Sequence, residues 1–155
     1  MITLKTLGIA QPTREHLSML KQYASVSDNS RDALLKTLLV QAFKIVQETS
    51  DKTLLPSKLE LTVSERHQAY DDMVRLYQCP DEIISVTDGD GVALDYSRSG
   101  RILHCLPWTD TVVVTYTTKP SLAEADTLLV VVLQYATALY DGADTATLNS
   151  ILAQC

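Results

Sequence analysis

The sequence predicts an α+β fold, a helical bundle with a small antiparallel β-meander inserted between the helices. An apolar stripe with helical spacing runs over residues 31–49, and the apolar period changes to two at residues 59–63. A helical pattern returns over residues 122–140, and residues 59–118 hold short extended segments separated by tight turns. We therefore predict a helical bundle, made of two N-terminal helices and a long C-terminal helix, with the meander inserted between them.

Length and composition fit one globular domain. The chain has 155 residues, of which 46% are hydrophobic and 21% charged, enough for one substantial core. We assign residues 1–155 to a single domain, with a helical part over 13–50, the β-meander over 58–118 and the C-terminal helices over 121–154.

Two helices are predicted near the start, after residues 1–12, which we expect to be irregular or extended. Thr13 should cap a short helix that ends near Ala24, and Ser30 should cap a second helix with Asp32 in its first turn. The apolar half of this second helix is predicted to be Leu34, Leu35, Leu38, Leu39, Ala42, Phe43, Ile45 and Val46. Its polar half is predicted to be Lys36, Thr37, Gln41, Lys44, Gln47 and Glu48.

The meander follows from short alternating runs and their turns. The segment Asp88-Gly89-Asp90-Gly91 is a strong turn signal, so residues 92–96 are expected to pair back across it. The predicted extended segments are 59–63, 73–77, 82–87, 92–96, 101–106 and 111–118.

The last third returns to helix. Ser121 and Glu124 form an S-x-x-E capping box, and Asp141-Gly142 supplies the stop after Tyr140. This helix is apolar nearly all round, so it should be buried within the subunit, between subunits, or both.

A short terminal helix is predicted over residues 147–154. Leu148, Ile151 and Leu152 lie on one side of it, which is typical of a docking element. Fraying of the chain end into solvent is the alternative interpretation.

The charge is unevenly distributed along the chain. Residues 1–75 hold ten Lys/Arg and nine Asp/Glu, a net charge of +1, whereas residues 76–155 hold three and ten, a net charge of −7. A protein that binds DNA by neutralising phosphates needs the opposite balance. Tight nonspecific DNA binding is therefore not expected, and no recognition helix indicates sequence-specific binding.

Cysteine usage and hydropathy point to a reducing compartment. Cys79, Cys105 and Cys155 cannot all pair within the chain, and none lies in a CxxC spacing. No signal peptide is recognised, and the apolar run 128–133 is far shorter than the roughly 20 residues that cross a bilayer. We expect a soluble protein that is assembled inside the cell and does not associate with membranes.

Catalytic signatures are nearly absent, since no nucleophile elbow, Walker loop, HExxH or GxGxxG occurs. We therefore predict no enzyme activity, no cofactor and no metal site. His104 and Cys105 are neighbours on a predicted strand and point to opposite faces, so they cannot share an ion. A hairpin turn explains Asp88, Asp90 and Asp95 better than a calcium loop does, since Val92 stands where a ligand is needed.

An alternative function remains open at this point: a small intracellular ligand-binding module or enzyme that uses the meander. Its candidate residues are Asp88, Asp90, His104 and Trp108. Trp108 is compatible with either core packing or an interface anchor. The cluster over residues 97–101 is compatible with a phosphate site and is more simply explained as a turn.

The order of elements and several local phrases resemble the head–tail connector (adaptor, or head completion) proteins of tailed phages. The resemblance covers roughly residues 13–155, and its strand at Tyr116 runs into Thr118-Lys119-Pro120 where family members usually have a glycine. The segments that carry it are 27–35, 42–48, 74–80, 84–88, 112–117, 122–140 and 148–154.

The resemblance implies a structural virion protein of the neck, assembled in the host cytoplasm. Such connectors form rings, commonly of about twelve copies, beneath the portal. It implies that the ring continues the DNA channel, passes double-stranded DNA without reading its sequence, and carries the next connector, stopper or tail protein. The candidate contact with the portal or a neighbouring subunit is Leu148, Ile151 and Leu152. The candidate ring or channel loop is Glu65, Arg66, His67, Asp71 and Asp72.

Overall fold

The computed structural model describes residues 1–67, 73–121, 123 and 125–155, and its architecture is α+β, as predicted. The helices in this part of the chain are α1 (Arg14–Tyr23), α2 (Asp32–Ser50), α3 (Ala125–Tyr140) and α4 (Thr145–Leu152). The strands are β1 (Ile2–Ile9), β2 (Ser57–Val63), β3 (Met73–Arg75), β4 (Pro80–Asp88), β5 (Asp95–Ser99), β6 (Ile102–Leu106) and β7 (Val112–Thr118).

The chain divides into two compact units, which we describe separately. The sheet unit comprises Met1–Ile9 and Pro56–Pro120, and the helical unit comprises Ala10–Leu55 and Ser121–Cys155. The assignment of residues 1–155 to one domain stays a prediction.

The sheet unit contains two antiparallel sheets, so the predicted single meander is wrong. One sheet has the order β1-β2-β7-β4, and the other has the order β3-β6-β5. Strand β2 pairs with β7, which places Leu59 opposite Tyr116 and Leu61 opposite Val114. All four side chains are fully buried, so pairing these strands buries one shared apolar face. A meander would pair β2 with the next strand along the chain.

Strand β1 is an element that periodicity did not predict as a strand. It pairs with β2, with Leu4 opposite Leu61, and thereby begins the four-stranded sheet. The alternation of apolar and polar residues that predicts a strand is weak in β1. Exposed Thr3, Lys5 and Leu7 alternate there with residues that are only partly buried or exposed. The first element of the chain is therefore a strand of the sheet unit, and it precedes the two predicted N-terminal helices.

The Asp88 turn is confirmed, but the pairing predicted after it is only partly correct. The Asp88 carboxylate accepts hydrogen bonds from the backbone N–H groups of Asp90 and Val92, both at 2.9 Å. Leu94 donates from its backbone to the Val86 carbonyl, and a bridge joins Thr87 to Ala93. The chain then leaves β4, because β5 pairs with β6 in the other sheet.

Tyr116 connects the sheet core to an irregular segment. Its ring is fully buried, and its hydroxyl accepts from the Tyr77 N–H at 3.0 Å and donates to the Tyr77 carbonyl at 3.1 Å. The core around it consists of Leu59, Leu61, Val74, Leu76, Val86, Leu94, Leu103, Cys105, Val112 and Val114.

In the helical unit, the predicted cap of α1 is confirmed. The Thr13 hydroxyl accepts from the His16 N–H at 3.3 Å, and His16 Nδ1 accepts from the Thr13 N–H at 3.1 Å. These reciprocal bonds form a capping box in which histidine takes the place usually held by glutamate or glutamine.

The predicted cap of α2 is wrong by one residue. Arg31 occupies the N-cap position without a side-chain hydrogen bond, and Asp32 lies in the first turn as predicted. Ser30 does not cap the helix, because its N–H and its hydroxyl both donate to the Asp28 carboxylate.

The predicted faces of α2 are correct except at two positions. Leu34 is 48% exposed, whereas Gln47, predicted as polar surface, is only 2% exposed. Gln47 Oε1 accepts from the backbone N–H groups of Leu54 at 2.8 Å and Leu55 at 2.6 Å. Gln47 can be buried because its side-chain oxygen accepts hydrogen bonds from backbone N–H groups of the segment that follows the helix.

The long C-terminal helix is confirmed as helix α3. It packs against α1, α2 and α4, and Gly142 ends it with a φ of 72°. Glu124, half of the predicted capping box, lies outside the described residues. No helix in the described part of the chain is long and apolar enough to span a membrane.

Candidate interaction surfaces

The predicted apolar strip lies on helix α4, which contains no buried residue. Leu148, Ile151 and Leu152 are each half-buried, and α4 packs against α3. The short helix begins at an N-cap, where the Asp144 carboxylate accepts from the Thr147 N–H at 2.8 Å. That hydrogen bond lowers the pKa of the Asp144 carboxyl group.

The strip borders an open groove in the helical unit. Ile151 and Gln154 line it together with Tyr23 of α1 and Ala138 of α3, and its volume is about 350 Å³. The ring of Tyr23 is 47% exposed. The sequence pointed to the strip but not to the part that α1 contributes. Contact of this strip with a portal or a neighbouring subunit stays a prediction.

Among the described residues of the loop predicted to face a ring or channel, Arg66 has a buried side chain. Arg66 is 5% exposed; its Nη1 donates to the Thr109 carbonyl at 3.0 Å, and its guanidinium lies 5.7 Å from the centre of the Trp108 ring. Glu65 and His67 on either side are exposed. Arg66 therefore supports the fold of the sheet unit and presents little surface to a partner.

The two remaining acids of this loop, Asp71 and Asp72, lie outside the described residues. The role of the loop in a ring or channel stays a prediction.

The residues proposed for a ligand platform do not come together. Asp88 and Asp90 line a polar groove of about 430 Å³ with Thr109 and Asp110. Neither His104 nor Trp108 lines this groove. The described residues contain no group of three His, Cys, Asp or Glu side chains that could hold a metal ion.

The segment over residues 97–101, predicted as a turn, contains the end of strand β5. Its residue Arg98 donates hydrogen bonds to backbone carbonyls. Arg98 Nε donates to the Gly100 carbonyl at 2.8 Å, and its Nη2 donates to the Pro80 carbonyl at 3.1 Å. The guanidinium is thus directed at backbone oxygens of its own unit. This use of Arg98 argues against a phosphate site. The predicted turn is only partly correct, because Ser97–Ser99 belong to β5 and the turn itself lies at Gly100 and Arg101.

The outer face of the three-stranded sheet exposes apolar residues that the sequence analysis did not single out. Met73, Ile102 and Leu106 are 56%, 36% and 55% exposed, respectively. The register puts Met73 opposite His104, so these side chains share the face opposite buried Leu103. Alternation along 102–106 could have revealed this face, because a strand with apolar residues on both sides has two faces to cover.

Comparison with solved structures identifies the fold. A chain in the virion of a native gene transfer agent particle shares 14% identity, with a TM-score of 0.62 over 98% of this chain and 94% of that chain. A chain in the neck of the empty particle, computed with C6 symmetry, shares 15% identity, with a TM-score of 0.63 over 97% and 93%. One in the neck of the native particle, computed with C12 symmetry, shares 15%, with a TM-score of 0.52 over 94% and 93%.

No family model and no curated protein matches the sequence. At this level of identity the structural likeness establishes a shared fold. The matched chains come from the virion and neck of a phage-like particle, in agreement with the resemblance to head–tail connector proteins.

Proposed function

We propose that this protein is a structural subunit of a virion neck, a head-to-tail connector that forms an oligomeric ring beneath the portal. The observation that carries the proposal is the fold shared with chains of neck structures over nearly the whole of both chains. In this function the protein makes and breaks no covalent bond. It acts by binding copies of itself, the portal and the next connector, stopper or tail protein, after assembly in the host cytoplasm.

The ring is supported by the symmetry of the neck structures in which the matched chains lie, which were computed with C6 and C12 symmetry. A closed ring needs a head-to-tail contact between two different surfaces of each copy. We propose about twelve copies, the number that matches the higher of these symmetries.

The charge of the chain is compatible with the proposed channel, in which we place part of the acidic half on the wall. Residues 76–155 carry a net charge of −7. A wall of this sign repels phosphate weakly and lets double-stranded DNA slide, whereas a basic wall would retain it.

The portal contact is proposed at the strip Leu148, Ile151 and Leu152. These side chains are half-buried on a helix without any buried residue, so partner binding can cover more of their apolar surface. The exposed neighbours Asn149 and Ser150 offer matched control positions on the same helix.

The test mixes the purified protein with the portal protein of the same particle and images the mixture by electron microscopy. We expect a ring coaxial with the portal, and mass photometry should give its copy number. Ile151→Asp should abolish portal binding, while Ser150→Asp should retain it, with circular dichroism confirming that both variants are folded. A protein that stays monomeric and never joins a portal would contradict the proposal.

A further inference from the structure

The two edges of the four-stranded sheet are protected to very different extents. Strand β4, at one edge, is hydrogen-bonded to the chain that follows it. The backbone N–H of Asp88 donates to the Val92 carbonyl, and the backbone N–H of Leu94 donates to the Val86 carbonyl, both at 2.9 Å. At its other end, Arg98 donates to the carbonyls of Pro80 and Asp81. Its pairing with β7 also shifts register between Pro80 and Ser85. Such coverage and irregularity are the usual means by which a sheet edge is closed to other strands.

The opposite edge, β1, has eight residues and shifts register against β2 between Thr6 and Gly8. The hydrogen-bonding direction of the part before this shift can be assigned. Met1 and Ser64 exchange two hydrogen bonds, of 2.7 and 2.8 Å. Because such pairs alternate along an antiparallel ladder, the backbone N–H and C=O groups of Ile2, Leu4 and Thr6 point away from β2. In the described part of the chain no strand lies beyond β1.

The charge on β1 indicates what kind of strand fits there. Lys5 is the only charged residue of β1, is exposed, and lies opposite Glu60 of β2. An acidic residue at the same level of an added strand would place the ammonium group between two carboxylates. Pairing of β1 with a second β1 centred on this residue would oppose two lysines, which is unfavourable.

A groove lined by apolar residues and by the polar residues Ser64, Glu65 and Arg75 lies at the start of the same strand. It has a volume of about 270 Å³ and is lined by Ile2, Val63, Met73 and Val74 among others. Ile2 is 57% exposed and Met73 is 56% exposed. A residue of an added strand opposite Ile2 would share its face and reach the groove.

We propose that the open edge of β1 binds an extended segment of a different protein, which adds a fifth strand to the sheet. The segment carries an acidic residue opposite Lys5 and a bulky apolar residue opposite Ile2. The two requirements are three positions apart and therefore fall on opposite faces of the added strand, as the two side chains do on β1. Backbone hydrogen bonds hold the segment, and these two side chains select it.

The test uses an eight-residue synthetic peptide in which threonine alternates with valine or isoleucine. One glutamate stands at the position that lies opposite Lys5 when an apolar residue of the peptide lies opposite Ile2. A matched peptide has lysine in place of the glutamate. Nuclear magnetic resonance should show amide shifts confined to β1 and the groove. We expect the glutamate peptide to bind about three- to tenfold more tightly at low salt.

Lys5→Glu should reverse the order of the two peptides, while Lys58→Glu, an exposed position on the neighbouring strand β2, should leave it unchanged. Thr6→Pro removes one outward N–H group without removing a bond to β2 and should abolish binding, whereas Thr6→Ala should preserve it. Thermal melting should confirm that each variant is folded.

Two results would overturn the proposal. One is peptide binding that survives Thr6→Pro or produces shifts away from β1. The other is a dimer of the protein alone that Thr6→Pro dissociates, because the edge would then be a contact between copies. The measurement does not depend on ring formation, so its failure is distinct from failure of the connector function.

Discussion

In the sheet unit and in the helical unit alike, a buried polar side chain holds backbone that belongs to no helix or strand. In the sheet unit, the Tyr116 hydroxyl binds the backbone of Tyr77, 39 positions earlier in the chain. In the helical unit, Gln47 Oε1 binds the N–H groups of Leu54 and Leu55, seven and eight positions later. The Tyr116 contact thus joins distant segments of the chain, whereas the Gln47 contact is local.

This difference has consequences for how mutations act. A long-range contact fixes two segments whose meeting costs more chain entropy, so losing it should affect the whole sheet unit. A local contact is already nearly formed when the helix forms. Polar replacements in the sheet unit should therefore be more damaging than similar ones in the helical unit.

The largest effect is expected at Tyr116. Tyr116→Ala should lower the free energy of unfolding by about 3–5 kcal/mol, because it leaves a cavity in the core. Tyr116→Phe should cost about 1–3 kcal/mol, because it leaves the partly buried backbone N–H and carbonyl of Tyr77 without this hydroxyl partner. Urea denaturation measures both, with exposed Tyr96→Phe as the control. Equal stability of Tyr116→Phe and wild type would contradict the importance of this contact.

A smaller effect is expected at Gln47 in the helical unit. Gln47→Ala should destabilise the protein by about 1–3 kcal/mol, at the lower end if water reaches the two freed N–H groups. Hydrogen exchange should accelerate at Leu54 and Leu55 in particular. The control is Gln41→Ala on the exposed face of the same helix. If both variants behave alike, Gln47 does not act through these two bonds.

The smallest effect is the pH dependence due to His16. Partial burial, with the ring 5.0 Å from that of Phe43, lowers the pKa of His16 below its ordinary value of 6.5, and Glu15 opposes this shift. The unfolded chain therefore takes up the proton more readily. Stability should be unaffected above pH 6.5 and should fall as the pH decreases from there through the folded-state pKa.

His16→Gln should flatten this pH dependence, because glutamine can complete the capping box without titrating. Chemical denaturation at several pH values between about 5 and 8 measures the slope around the histidine pKa. His67→Gln in the sheet unit is the control and should retain the slope. An unchanged slope in His16→Gln would assign the pH dependence to another group.

Local signals predicted much of the secondary structure but failed where a distant segment decides. The Thr13 cap, the Asp88 turn and the helix ending at Tyr140 each depend on residues within a few positions, and each was predicted. Gln47 was assigned to the surface because helical spacing does not show that the following loop folds back over it. The candidate strip on α4 was visible for the same local reason, whereas the groove beside it needs Tyr23 from another helix.

The sequence by itself determined where most helices and strands form, because apolar period, caps and turn residues act over a few positions; β1 is the exception. Only the tertiary structure decided which strands pair, since β2 selects β7 through a buried face shared by residues far apart in the chain. The same pairing leaves β1 at an open edge and β4 at a closed one. No local pattern shows which edge is open, because a strand forms an open edge only when no other segment of the chain pairs with it.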